Sequence, residues 1–214
     1  MQRTIQPELL DSLPPGHPDA LHNHRDLRLT NQLLGSYRWL ERTLPPMLRP
    51  GERTLELGAG AGELGLRLAR RGVDVAALDL WPRPKDWPAA QAWHRADLRE
   101  FDGYGDYAAV IGNLILHQFS DADLTTLGHK LRRTARVIVA CEPQRRRFSQ
   151  VAYRMLGPVF GANHVSLHDA DVSIAAGFQH EELPQALGLD PMTWEIHCTS
   201  TVRGLYRMVA VRRS

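Results

Sequence analysis

The spacing of apolar positions changes along the chain. Between residues 19 and 48, Leu21, Leu27, Leu33, Leu34, Tyr37, Leu40 and Leu44 recur at helical intervals, broken near Gly35 and stopped by Pro45 and Pro46. This predicts two helices, paired as an αα-hairpin. Ahead of them, residues 1–16 carry Pro7, Pro14, Pro15 and Gly16 and read as an irregular arm, with helix expected from about Pro18. From residue 54 the pattern becomes short apolar runs separated by amphipathic stretches: strands at 54–57, 73–80, 90–94, 107–116 and 136–141, and helices at 63–71 and 121–134. Strands that are apolar on both faces and alternate with helices imply a parallel sheet covered on both sides. After Glu142 and Pro143 the alternation lapses. Residues 145–160 have helical character, 161–177 read as an ordered loop, and 179–187 as a short helix ended by Gly188. Two last runs, 193–199 and 205–211, are joined by a short link and form an antiparallel hairpin.

Composition bounds this picture. A chain of 214 residues, 43% apolar and 23% charged, is globular and too short for two full-sized domains. One unit with additions is expected: an arm and helical cover over residues 1–50, then a main domain over 51–214 that contains an insertion at 143–180. The 26 basic and 24 acidic side chains leave a net charge of +2, and only Lys85 and Lys130 among the basic ones are lysines. That balance does not make a field that gathers nucleic acid. The run Arg145, Arg146 and Arg147 reads as solvated charge. Cys141 and Cys198 lie in apolar stretches and behave as small hydrophobes, which fits a reducing cytoplasm. No run approaches the roughly 18 apolar residues of a membrane span, and the first residues lack the apolar core of a signal peptide.

The chemistry concentrates in one segment, Glu56-Leu-Gly-Ala-Gly-Ala-Gly, where Gly58, Gly60 and Gly62 join the first strand to its helix. Glycines there allow a tight turn and a close approach of backbone to ligand, and the helix start offers free N–H groups. A dinucleotide fingerprint would place its third glycine at position 63, which is Glu63 here. About 20 residues after the first glycine, Asp79 ends the second strand, where a carboxylate can accept both hydroxyls of a ribose. Asp97 follows the third strand.

At these residues the chain resembles the class I S-adenosylmethionine (SAM) dependent methyltransferases. The resemblance implies a Rossmann-like α/β fold, a mostly parallel sheet closed by an antiparallel C-terminal hairpin, with SAM as the cofactor. It implies that Glu56, Gly58, Ala59, Gly60 and Gly62 hold the methionine and ribose parts, that Asp79 and Leu80 hold the ribose, and that Asp97 and Leu98 face the adenine. Asn113 and Leu114 would run along the methionine part. Arg25, Asn31, Tyr37 and Arg38 would come from the N-terminal helices that close over the site.

The segment from Gly112 to Phe119 resembles the Leu-His-His stretch of quinone-biosynthesis methyltransferases, with Gln118 in place of the second His. Leu9-Leu-Asp, Arg25-Asp-Leu-Arg, Asn31-x-Leu-Leu-Gly and the stretch from Asn163 to Phe178 resemble a bacterial methyltransferase group found beside type III polyketide synthases. Together these imply methyl transfer to a small phenolic or polyketide-derived acceptor, with residues 143–180 as acceptor wall or lid. A phenol must lose its proton, and a histidine titrating near neutrality suits that task. His117, His168 and His180 are the candidates, with His117 and His168 assigned as catalytic. C-methylation of a quinone precursor and a SAM-binding protein without transferase activity remain as alternatives. No metal is expected, because His164 and His168 could share an ion only on a helix, and Gly161 and Ser166 argue for a loop.

Overall fold

Pro18 opens α1 (Pro18–Leu34), where its fixed φ suits the first helical position, and the His17 ring accepts the Asp19 N–H. Gly35, at φ 77°, ends α1 and starts α2 (Ser36–Thr43) without a connecting loop. The computed structural model describes residues 1–14 and 16–213, so Pro15, which the sequence places in the arm, and Ser214 lie outside the described residues. The alternating segment follows as β1 (Thr54–Leu57), α3 (Glu63–Ala69), β2 (Val75–Asp79), β3 (Trp93–Arg95), β4 (Ala109–Asn113), α4 (Asp121–Thr134) and β5 (Val137–Pro143). Then come α5 (Arg147–Leu156), α6 (His164–Ala176), α7 (Glu182–Ala186), β6 (Trp194–Ser200) and β7 (Leu205–Arg212).

The seven strands make one sheet in the order β3-β2-β1-β4-β5-β7-β6. Every pairing is parallel except the two made by β7, which runs against both β5 and β6. This is the Rossmann-like arrangement with a closing hairpin that the sequence leads one to expect. Alternate strand residues feed two cores, which is why the runs look continuously apolar. Leu55, Leu57, Val110 and Ile138 pack on one face with Leu124, Leu127 and Leu131 of α4. Val75, Ala77, Ile111 and Val139 pack on the other with residues of α2 and α3. The start of α4 is fixed by a reciprocal cap, with Ser120 accepting from the Asp123 N–H and Asp123 accepting from the Ser120 N–H.

Strand order reverses between β1 and β4, so the loops after them diverge and open a crevice beyond their carboxyl ends. The glycine turn after β1 lies on this crevice. Against the other end of the sheet α4 makes a close contact: a Cβ on Gly128 would overlap the Leu187 carbonyl oxygen. Gly128→Ala gains about 1 kcal/mol of helix propensity but drives a Cβ into rigid backbone, an overlap that costs more than the roughly 1–3 kcal/mol of an overpacked side chain. A lower midpoint in chemical denaturation with the fold retained is the expected outcome, and an unchanged midpoint would disprove the contact.

Three sequence expectations are corrected. Residues 164–176 form a helix, not a loop: Gly161 lies outside it, the Asn163 side chain caps it by accepting the Ser166 N–H at 2.8 Å, and Ser166 donates to Asp26 at 2.7 Å. The helix expected over 179–187 is confined to Glu182–Ala186. Arg145 is buried rather than solvated: it donates to the carbonyls of Gly177 and Met1 at 2.7 and 2.8 Å and pairs with Glu182 at 2.5 Å.

Candidate functional site

A cavity of about 840 Å³ opens beyond the ends of β1, β2 and β4. Its floor is the glycine turn. Gly58 packs against Ile115 and Gly62 packs under Trp87, so a Cβ at either would collide, whereas nothing stands in front of Gly60. Gly60, at φ 56°, is therefore the position where backbone faces open space, and it takes a conformation that a side chain would strain. Gly62 serves packing and does not line the cavity.

Around that turn are polar groups of one kind. Glu56, at the end of the fully buried β1, has an Oε2 atom with no hydrogen-bond partner, and Asn113, at the end of β4, has an equally unpartnered Oδ1. Asn113 is oriented by donating its amide to Asn31 Oδ1 at 2.9 Å. Burial pushes the Glu56 carboxyl up to about 8, against a backbone N–H from Gly65, and the nearby Asp79 adds to the rise. Asp79 accepts the N–H groups of Gly60 and Trp81, each at 2.7 Å, and is raised by burial in spite of them. Above it the His24 ring meets Trp81 edge-on, with centroids 4.4 Å apart, so α1 closes against the end of β2. Leu114 follows Asn113 at φ 57°, an unusual conformation for a leucine, and its N–H donates to Cys141 O at 2.8 Å. Strained backbone of this type concentrates where side chains must be aimed.

Asp97 and Leu98 also line the cavity. Asp97 is held well below the usual carboxylate range by its two hydrogen bonds from the Arg99 guanidinium, at 2.9 and 2.5 Å. Glu56, Gly58, Ala59, Gly60, Asp79, Leu80, Asp97, Leu98, Asn113 and Leu114 are thus brought to one cavity, together with Asn31 and Tyr37. Arg25 and Arg38 are not. Arg38 is exposed on α2, next to the buried Tyr37, and lines a separate pocket.

The far half of the cavity is walled by α5, α6 and the arm. Phe148, Ala152, Leu156, Phe160 and Ile174 supply an apolar side, and Glu8, Asp11, Asn23 and Asp169 a polar one. Glu8 was not singled out by sequence. It lies in the irregular arm, yet its carboxylate accepts from Gln118 at 3.0 Å and from the Ser173 hydroxyl, and faces His117 Nε2 at 3.4 Å. Asp169 accepts the N–H groups of Leu9 and Leu10 at 2.7 and 3.1 Å, so α6 holds the arm in place. Arg3 completes the strap by donating to Ala176 O, His117 O and Phe119 O.

His117 is buried between two carboxylates. Its Nδ1 lies 2.7 Å from Glu142, which also accepts the N–H groups of Ile115, Leu116 and His117 itself. Burial lowers its pKa, but the hydrogen bonds and charges of Glu142 and Glu8 outweigh it and raise the imidazole to about 9. Both ring nitrogens thus face carboxylates, an arrangement that favours the protonated ring over the free base that the sequence assignment requires. His168 lies on the exposed side of α6, beside Asp169 at 3.1 Å, and His180 is exposed; neither lines the cavity. His164 and His168 do share a helix, but among the described residues no group of three His, Cys, Asp or Glu side chains is arranged for a metal ion. No helix among them is long and apolar enough to cross a membrane.

No protein-family model and no curated protein matches the chain. Solved structures do. The plantazolicin methyltransferase BpumL in complex with SAH superposes with a TM-score of 0.73 over 96% of this chain and 93% of that one, at 10% identity. Magnesium protoporphyrin IX methyltransferase (ChlM) from Synechocystis PCC 6803 with bound SAH gives 0.54 over 88% and 86%, at 19% identity. A structure described under the conversion of a disulfide bond into a thioacetal group during echinomycin biosynthesis gives 0.58 over 83% and 80%, at 21% identity. At such identities the likeness establishes the fold.

Proposed function

We propose that the chain is a SAM-dependent methyltransferase acting on a small phenolic or polyketide-derived acceptor, with transfer to oxygen. The observation that carries the cofactor is the pair of buried, unpartnered acceptors, Glu56 Oε2 and Asn113 Oδ1, on two residues that line the same cavity as the open turn at Gly60. A buried acceptor without a donor is costly; an ammonium group supplies that donor, as the amino group of a methionine moiety would. Asp79 offers a carboxylate for ribose hydroxyls, and Asp97 and Leu98 bound the adenine end. The neighbours in complex with SAH and SAM support the same reading. Bound there, the cofactor supplies a methyl group on a sulfonium sulfur, open to in-line displacement.

The chain's own residues then position the acceptor and handle its proton. Phe148, Leu156, Phe160 and Ile174 take an apolar ring. With His117 already protonated, the proton of a phenol falls to Asp11, which opens on the cavity and is raised to about 6 by partial burial and by the charges of Glu8 and Asp169. A carboxylate so raised is still ionised at neutral pH and is a stronger base than an ordinary one.

Calorimetric titration with SAM and SAH tests the cofactor; folded protein that binds neither overturns the proposal. Asp79→Asn is expected to weaken SAM binding about tenfold or more, the loss of a charged hydrogen-bond acceptor, with the denaturation midpoint reporting whether the turn survives. Incubation with methyl-labelled SAM and a panel of phenols tests transfer, and binding without transfer to any of them would favour a non-catalytic SAM-binding role.

A further inference from the structure

A second pocket, of about 340 Å³, lies where the tip of the β6–β7 hairpin meets the junction of α1 and α2. Arg38, Arg42, Arg203 and Arg207 line it around Trp39, and no carboxylate does. Arg38 and Arg42 are one helical turn apart on the exposed side of α2, which puts both guanidinium groups on the same face. Arg207 lies over the Trp39 ring, 4.9 Å from its centroid, and its buried Nε has no hydrogen-bond partner. Arg203 spends one N–H on Leu33 O at 2.8 Å, which fastens the hairpin tip to the end of α1.

Several partly buried arginines of this chain are matched with acids, as Arg67 is with Glu41, Arg136 with Glu52 and Arg145 with Glu182. Among the described residues none of the four pocket arginines has such a partner. With a net charge of only +2, this local excess is not a general property of the surface. Four like charges around one pocket repel one another until an anion joins them. Each guanidinium presents a planar fork of donors, so together they exceed what one carboxylate can accept, and they suit the terminal oxygens of a phosphate.

We propose that this pocket is a binding site for a phosphate group. It shares Leu34, Val202 and Arg203 with the wall of the main cavity, so a phosphate held there can belong to a molecule whose organic part enters that cavity, or to free phosphate. The site does not rest on the methyl-transfer reading, since it uses none of the cofactor residues.

Calorimetry on the full chain at constant ionic strength, with inorganic phosphate, 1-naphthyl phosphate and acetate as probes, tests it. Saturable phosphate binding is expected, with acetate far weaker and Arg38→Gln/Arg42→Gln weakening phosphate about tenfold or more, through loss of charge-assisted bonds. Tighter binding of 1-naphthyl phosphate than of inorganic phosphate would place the group on an organic ligand that reaches the main cavity; equal affinities would assign the site to free phosphate. No saturable binding, equal binding of acetate, or unchanged phosphate affinity in the double variant overturns the proposal. SAM affinity serves as the control: a parallel loss in the double variant would return these arginines to the cofactor site and overturn the separate one.

Discussion

Replacing His117 with leucine is expected to cost about 3–5 kcal/mol of folding stability, the usual consequence of removing one partner from a buried ion pair. The variant would leave Glu8 and Glu142 facing each other without the cation that joins them. A milder change makes the claim specific. The imidazole is raised from its ordinary 6.5 to about 9, so the folded state binds its proton more tightly than the unfolded chain does. Stability from this source is complete below about 6.5 and is lost as pH rises through about 9, roughly 3 kcal/mol over the interval. Glu8 runs the other way: burial raises it, the hydrogen bonds from His117, Ser173 and Gln118 more than compensate, and its share is present above its ordinary 4.5 and lost in acid. Urea denaturation of His117→Gln between pH 6 and pH 10 is expected to show the alkaline loss flattened. A wild-type profile that stays level through pH 9 would contradict the assignment. Glu8→Gln separates the arm from the core: faster proteolysis within residues 1–14, with a smaller loss of stability than His117→Leu because Glu142 still holds the imidazole, is the result expected of a strap.

How much of this was legible in the sequence depends on chain distance. The glycine turn, Asp79 and the strand–helix alternation are local patterns, and they fix the sheet and the half of the cavity around that turn. The half walled by α5, α6 and the arm is assembled from remote pieces. Glu8 reaches His117 across 109 positions, and Leu9 meets Asp169 across 160. No periodicity within the arm marks either contact, so the arm looked merely irregular. Glu142 lies just past the apolar run 136–141 and so fell outside the pattern; the signal was that place, near the carboxyl end of β5, where its carboxylate meets the segment after β4. For α6 the difficulty was different. It is packed against α1 and α5 while Ser166, Asp169 and Ser173 face the cavity, so its apolar and polar residues do not divide into two stripes. Arg145 was hidden by its neighbours Arg146 and Arg147, because a charge run averages one buried residue with two that are not.

The cofactor proposal has its sharpest consequence at Glu56. With its pKa pushed to about 8, this carboxyl is mostly protonated at neutral pH before anything binds. An ammonium group placed against it favours the carboxylate, so SAM binding is expected to release a proton and to strengthen as pH rises from about 6 toward about 8. Calorimetry in buffers of different ionisation enthalpy reads that proton directly. Glu56→Gln removes it, and with it the charged acceptor, so affinity is expected to fall about tenfold to a hundredfold and to lose its pH dependence over this range. Stability moves in the opposite direction. A carboxyl raised from 4.5 to about 8 by burial makes the folded state less stable as pH climbs between those values, a penalty of up to about 3 kcal/mol at neutral pH. Glutamine carries no charge to bury, so the variant is expected to unfold at higher urea than the wild type at pH 7 while binding SAM more weakly. A residue that merely packs would lose stability on substitution and leave proton release unchanged. A buried acid kept at a cost in stability, on the same cavity as an unpartnered Asn113 oxygen, is what a site selected for binding a cation looks like.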